Sequence, residues 1–198
     1  MKLYHSTGSA NSRRVRIFLA EKGLELALVP VDLGKREQRS DEYRMINPRQ
    51  MVPTLVLEDG TAIGEVPAIW RYLDEAYPSK PLLGATPKEK ALVGMWERRA
   101  ELEGFAAVIR AIAGPHDYEQ IPALVDRSKV RVANFLADLD ARLTDSRFVV
   151  GDQFSVADIT TLVTIDFAAE AFAISAPQEH RALALWYEAV SARPSSRA

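Results

Sequence analysis

The chain has 198 residues, of which 47% are apolar and 26% charged, enough for one large globular domain or two small ones with buried cores. A net charge of -2, with no concentrated basic face, excludes an electrostatic reader of nucleic acid. The absence of cysteine excludes a disulfide framework, a thiolate zinc site and a protein-thiol nucleophile.

Met1-Lys2-Leu3-Tyr4-His5 opens no apolar stretch of signal-peptide length. The most apolar region, residues 159–176, is interrupted by Asp166 and Glu170, so no segment reads as membrane-spanning. His5, His116 and His180 lie far apart without metal-ligand spacing, and no metal site is expected.

Lys2–His5 predicts a short strand. Residues 11–23 predict a helix with Val15, Ile17, Phe18 and Leu19 as its apolar positions and Gly23 at its C-cap. The Arg13-Arg14-Val15-Arg16 cluster reads most simply as the solvated face of that helix. Residues 24–32, rich in Leu and Val, predict a second strand. Residues 38–45 predict a short helix before Asn47-Pro48. Residues 54–58 and 61–63 flank Asp59-Gly60, which signals a two-residue hairpin. Residues 67–76 predict a helix with proline in its first turn. The order β-α-β-α-β-β-α requires a parallel crossover followed by an antiparallel pair. A mixed four-stranded sheet with helices on both faces follows, an α/β unit.

Pro78-Ser79-Lys80-Pro81 then reads as a linker, continued by Leu82-Leu83-Gly84. Beyond it only helical patterns occur, over residues 87–112, 121–143, 155–172 and 181–192. The expected division is an α/β unit over 1–78, a linker over 79–86 and an all-helical unit over 87–198. Ser155 and Asp158 form a capping box at one helix start: the hydroxyl caps the Asp158 amide and the carboxylate reaches back, with Phe154 and Ile159 as a staple. This is a helix-stabilising device without chemistry.

Several pieces, in order, carry a resemblance. They are Leu3-Tyr4-His5-Ser6 with Ser9 to Arg16; Ala20-Glu21-Lys22-Gly23; Asn47-Pro48 and Val52-Pro53-Thr54-Leu55; Asp59-Gly60; Glu65 with Ala68-Ile69 and Tyr72-Leu73; Gly151-Asp152 with Phe154 to Ile159; and Trp186-Tyr187 with Arg193-Pro194. Each is weak alone. Together the chain resembles the cytosolic glutathione S-transferases over nearly its whole length. The resemblance implies a thioredoxin-like N-terminal domain that binds glutathione and an all-α C-terminal domain that faces an electrophile. It also implies a soluble, cytoplasmic homodimer whose substrates are glutathione and a small hydrophobic electrophile, with no metal, nucleic-acid or membrane partner.

The implied chemistry needs no protein thiol, because glutathione brings its own. The thiolate is the nucleophile, and lowering a thiol pKa by about one unit takes roughly 1.4 kcal/mol of preferential anion stabilisation. One hydrogen bond to an ion supplies about that much. Serine-type relatives place the catalytic hydroxyl near Ser9, with Ser6, Asn11 and Ser12 as competing donors; Tyr4 lies inside the strand and reads as a sheet residue. Val52-Pro53 is the implied cis-proline that exposes the Val52 backbone to the cysteinyl main chain of glutathione. Glu65 would meet the γ-glutamyl ammonium. Val66 stands where relatives carry serine, and Pro67 removes an amide donor beside it. Gln38 aligns with a glycyl-end contact, and Gln50 and Met51 replace the small and polar residues common before Val-Pro. Arg36, Arg39 and Arg49 are cation candidates for the glycyl carboxylate. Phe105, Val108, Ile109, Ile112 and Tyr118, with His116, are candidates for the electrophile pocket. The 113–118 connection looks shorter than usual for this resemblance.

Two other readings stay open: a glutathione-dependent lyase or isomerase, and a non-catalytic interaction module, which Val66 favours. Ala68, Trp70, Val93, Met95 and Trp96 spread over more than one face of their helices, which motivates the dimer expectation.

Overall fold

The computed structural model describes residues 1–112, 121–172 and 179–198, without side-chain detail at 110–112 and 171–172. The 113–118 connection, His116 and Tyr118 lie outside the described residues, as does the side chain of Ile112. The chain divides into two compact units, Met1–Pro81 with Arg197–Ala198, and Leu82–Ser196.

The first unit runs β1 (Lys2–His5), α1 (Ala10–Lys22), β2 (Ala27–Pro30), a 3₁₀ turn (Glu37–Arg39), α2 (Asp41–Ile46), β3 (Thr54–Val56), β4 (Ala62–Ile63) and α3 (Val66–Ala76). Its four strands are ordered β2-β1-β3-β4, with β1 and β2 parallel and the other pairs antiparallel. This is the expected mixed sheet. Strand alternation sends Tyr4 to one face, where it packs with Val31, Tyr43 and Val52, and sends the fully buried Leu3 to the other. Tyr4 meets Tyr43 edge-on at 6.0 Å, a core contact in keeping with a sheet residue.

The hairpin differs in detail from its sequence signal. Leu57 and Thr61 close it, with the Leu57 amide donating to the Thr61 carbonyl and the Gly60 amide to the Leu57 carbonyl. Three residues therefore form the loop, and Gly60 takes φ 86. A turn followed by a left-handed residue needs glycine at that third position, whereas the two-residue form would place it second.

The arginine cluster of α1 is not a solvated face. Arg14 is only 1% exposed and lies over the Trp70 ring, 4.9 Å from its centroid. The guanidinium is planar and weakly hydrated, so it can stack where a lysine ammonium would not. Phe18 stacks on the same indole at 6.0 Å, joining α1 to α3. At the end of α1 the buried Lys22 donates to Asp74 of α3 at 2.6 Å.

The second unit comprises α4 (Pro87–Arg99), a π-helical segment (Ala100–Phe105), α5 (Ala106–Ile112), α6 (Pro122–Leu143), α7 (Val156–Phe172) and α8 (Arg181–Ser191). Thr86 and Glu89 build a complete capping box at the start of α4. Residues 87–112 form one helical path, as their pattern suggests, but with the widened segment inside it. A Cβ on Gly104 in that segment would come within 2.8 Å of both Phe135 and Thr164, so α6 and α7 pack there only against glycine. Leu82 is buried, and its carbonyl accepts the Val156 amide at 3.1 Å.

The Ser155–Asp158 device works differently from a capping box. The carboxylate does reach back to the Ser155 amide, at 3.0 Å. The Ser155 hydroxyl, however, donates to the same carboxylate at 3.1 Å instead of capping the Asp158 amide. Asp158 Oδ1 also accepts the Val149 amide and the Trp186 indole N–H, both at 2.9 Å. One side chain thus ties the start of α7 to the preceding turn and to α8. Among the described residues no helix is long and apolar enough to cross a membrane, and no group of three or more His, Asp or Glu could hold a metal ion.

Candidate functional site

Sheet register brings three loops to one edge. Tyr4 near the end of β1 pairs with Thr54 at the start of β3, and Leu55 pairs with Ile63 at the end of β4. The chain leaving β1 (residues 6–9), entering β3 (51–53) and leaving β4 (64–66) therefore meets at that edge. Ser9, Val52, Pro53, Glu65 and Val66 all lie on these loops.

Ser9 is the N-cap of α1, and its Oγ accepts the Ser12 amide at 3.3 Å. Accepting through oxygen leaves the hydroxyl proton for a further acceptor. The competing hydroxyl of Ser12 is fully buried and accepts the Ser6 amide at 3.2 Å. Asn11 Oδ1 accepts from Arg14 at 3.1 Å. The Ala10 and Asn11 amides have no acceptor among the described residues, and the first turn of α1 carries no acidic residue. That end of the helix accordingly favours an anion.

Arg16 braces the same loop from below. Its guanidinium donates to the Ser6 carbonyl at 3.1 Å and the Thr7 carbonyl at 3.5 Å, and sits 3.4 Å from His5 Nδ1. Burial, and then the Arg16 charge, push the His5 pKa below its ordinary value, favouring a neutral ring beside the guanidinium.

Val52–Pro53 is cis. The Met51 carbonyl just before it accepts three side-chain donors: Tyr43 Oη at 2.7 Å, Asn47 Nδ2 at 3.0 Å and Thr54 Oγ1 at 3.1 Å. Burial raises the Tyr43 pKa, so the phenol stays a donor. The Val52 backbone makes no hydrogen bond to a described residue, although the residue is buried. The loop is thus held on one side while its own ladder groups stay unpaired. Motif spacing locates Asn47 and Thr54 but says nothing of their convergence on one carbonyl. Tyr43 carries no sequence signal beyond its place on a short helix.

Glu65 is the N-cap residue of α3, exposed, with φ 60 and no capping hydrogen bond. Val66 is buried, and Pro67 lacks an amide. The Ala68 and Ile69 amides both turn back to the Glu65 carbonyl, leaving the Val66 amide as the free donor of that helix start. Positive φ is uncommon outside glycine and collects at functional sites. Arg36, Gln50 and Glu65 are three of the four such residues described, the fourth being Lys80.

Gln38 is half-buried, and its Oε1 accepts no hydrogen bond from a described residue. Arg36, Arg39 and Arg49 are exposed. Of the pocket candidates, Phe105 and Val108 are 3% and 0% exposed, with Phe105 packed 5.7 Å from Phe167. Both are core residues of the helical unit in this conformation. Ile109 is half-buried and presents some surface.

Family comparison matches residues 3–81 to the glutathione S-transferase N-terminal domain and residues 103–194 to the glutathione S-transferase C-terminal domain. The chain belongs to the glutathione S-transferase family. Glutathione S-transferase 2 of Saccharomyces cerevisiae is 33% identical over 98% of this chain and 87% of its own length. The maleylacetoacetate isomerase of Pseudomonas aeruginosa is also 33% identical, over 88% of this chain and 84% of its own. Among solved structures, a glutathione S-transferase domain-containing protein of Marinobacter aquaeolei VT8 superposes with a TM-score of 0.91 at 37% identity, covering 98% of this chain and 99% of that one. The thioredoxin-like and helical units are those of this family.

Proposed function

We propose that the protein is a glutathione transferase in which the thiolate of bound glutathione attacks a small hydrophobic electrophile. The observation that carries the reading is the edge where three loops converge. There an unpaired Val52 backbone, the open amides of α1, the Val66 amide and the exposed Glu65 carboxylate match, in kind, the parts of the tripeptide. Val52 pairs with the cysteinyl main chain. Glu65 meets the γ-glutamyl ammonium, and the Val66 amide meets its carboxylate. Gln38 and Gln50, with Arg36, Arg39 or Arg49, serve the glycyl end. Ser9 donates its hydroxyl proton to the sulfur, and the N-terminus of α1 adds favourable potential.

The acceptor side draws on Ile109 rather than on Phe105 or Val108, because fully buried side chains meet a ligand only after repacking. Ile112 and Tyr118 remain candidates by position. A homodimer in the cytoplasm belongs to the same reading. Trp70 and Val93 are buried within the chain itself, so Met95, 40% exposed, and Ala68 carry the support for the dimer. An isomerase reading rests on the Pseudomonas relative, which is no more similar than the yeast transferase and covers less of this chain.

The test is a titration of bound-glutathione thiolate absorbance against pH, with turnover measured in parallel. Ser9→Ala is expected to raise the thiol pKa by about one unit and to lower turnover about tenfold with little change in affinity. An overlaid curve would remove Ser9 as the donor. Calorimetry separates the binding half of the reading: Glu65→Ala abolishes glutathione binding, while Val66→Ser tightens it about tenfold by adding a hydrogen bond to a charged group. Unchanged affinity in both variants would turn the reading toward an interaction module.

A further inference from the structure

Ser9 is one donor to the sulfur on the transferase reading, and the first turn of α1 carries a second side chain whose geometry suits donation. Asn11 is half-buried and occupies the second helical position of α1, just past the loop that leaves β1. Three positions on, the Arg14 guanidinium donates through Nη1 to Asn11 Oδ1 at 3.1 Å. A guanidinium has donors and no acceptor, so it fixes which end of the carboxamide turns toward it. The oxygen faces Arg14, and the two Nδ2 protons face away. Nδ2 donates to no described residue.

The orientation is firm because Arg14 is held from the other side. It is only 1% exposed and lies 4.9 Å from the ring centroid of Trp70 on α3. Trp70 is itself fully buried and stacks on Phe18 of α1 at 6.0 Å, with 24° between the ring planes. A polar group is well placed for chemistry when the side chains behind it are locked by packing. Arginine suits this place and lysine does not, because the planar fork can lie on a ring while aiming one N–H at an oxygen. The Asn11 backbone amide also lacks an acceptor among the described residues, so one residue offers main-chain and side-chain donors at the same helix end.

We propose that Arg14, clamped on Trp70, is a positioning residue that turns the Asn11 carboxamide N–H toward the glutathione sulfur, making Asn11 a second thiolate donor beside Ser9. The proposal rests on the transferase reading and deepens it, since a side chain of α3 then sets the direction of a donor on α1.

Thiolate absorbance of bound glutathione, titrated against pH, tests this, with calorimetric affinity and urea unfolding measured alongside. Asn11→Ala is expected to raise the bound thiol pKa by about one unit, the loss of one hydrogen bond to an ion. Its affinity for S-methylglutathione, which has no thiol to ionise, should stay unchanged. A carboxamide that merely satisfies Arg14 would give a less stable N11A with the thiol curve in place, and that result would overturn the proposal. Arg14→Lys is expected to shift the curve as N11A does and to add nothing in R14K/N11A. Additive shifts would show that Arg14 does not act through Asn11 and would overturn its positioning role. Trp70→Leu and Trp70→Phe read the same clamp from α3 and decide it if R14K does not fold. Leucine removes the ring face and should raise the thiol pKa, whereas phenylalanine keeps a ring face and should restore the wild-type curve. Equal curves for these two variants would overturn the clamp. A wild-type chain that binds neither glutathione nor S-methylglutathione would overturn the transferase reading and this proposal with it. Binding of both, with an N11A curve that overlays wild type, would overturn this proposal alone.

Discussion

Each unit is organised around one oxygen-bearing group that gathers several donors, and the two differ in charge. In the first unit the neutral Met51 carbonyl takes the side chains of Tyr43, Asn47 and Thr54. In the second, the buried Asp158 carboxylate takes two backbone amides, a hydroxyl and an indole N–H. The carbonyl network stays uncharged near neutral pH, its one titratable member, Tyr43, being held above its ordinary pKa by burial, and it positions a loop whose Val52 backbone is unpaired. The carboxylate network joins three segments of a core, and desolvation raises its pKa to about 6 despite those donors. The loop-positioning network therefore keeps its geometry around neutral pH, while the one that joins core segments stores a pH dependence.

Removing the charged hub should have the largest effect. Asp158→Ala leaves the Val149, Ser155 and Trp186 donors buried without a partner, at about 1–3 kcal/mol each. A loss of about 4–6 kcal/mol is expected in urea unfolding. A loss under about 1 kcal/mol would mean that the hub is dispensable.

The Lys22–Asp74 pair follows. Asp74→Ala leaves the buried Lys22 ammonium without its counter-ion, with the Lys80 carbonyl still accepting from it at 3.2 Å, and should cost about 3–5 kcal/mol, whereas the double variant Lys22→Met, Asp74→Leu should lie close to wild type. Equal destabilisation by the single and double variants would show that the cost is steric and not electrostatic.

The pH dependence comes next. The folded pKa of Asp158, about 6, lies above its ordinary value of 3.8. Its stabilising contribution is therefore complete below about pH 4 and lost as pH rises toward 6, because the folded state holds a proton that the unfolded state has released. The shift of roughly two units corresponds to about 3 kcal/mol. The difference in unfolding free energy between wild type and Asp158→Asn, measured from pH 4 to 7, should change by that amount in that direction. A constant difference would remove the carboxylate as its source. The exposed carboxylates with lowered pKa values, such as Asp59 and Glu89, change stability in the opposite sense and cancel in this comparison.

The neutral hub should give the smallest effect. Tyr43→Phe removes one of three donors to Met51 and should cost about 1 kcal/mol, with no change in pH profile. On the transferase reading, glutathione affinity should fall a few-fold as the Val52 backbone loosens. An affinity loss without any stability loss would instead point to direct contact between Tyr43 and the ligand.

The order of elements was legible in the sequence because it is local. Periodicity, Gly23 after α1, Pro67 opening α3 and the break at residues 78–84 each act within a few residues of themselves. The same holds for the motif positions Ser9, Val52-Pro53 and Glu65. What the sequence could not state is how groups distant along the chain meet. Arg14 reads as solvent-facing until Trp70, 56 positions later, supplies a ring for it to lie on. Ser155 and Asp158 read as a cap until Val149 and Trp186 turn the carboxylate into a junction. Phe105 and Val108 read as pocket residues because an apolar helix position looks the same whether it meets a ligand or a core. Gly104 looks like an ordinary helix weakness until Phe135 and Thr164 occupy the space of its missing Cβ. Local propensity and short-range spacing thus determined the elements, their sequence along the chain and the family resemblance. Tertiary packing alone decided which polar side chains are buried, what each is paired with and which apolar residues remain open to a ligand, since burial and pairing depend on neighbours brought from elsewhere in the chain.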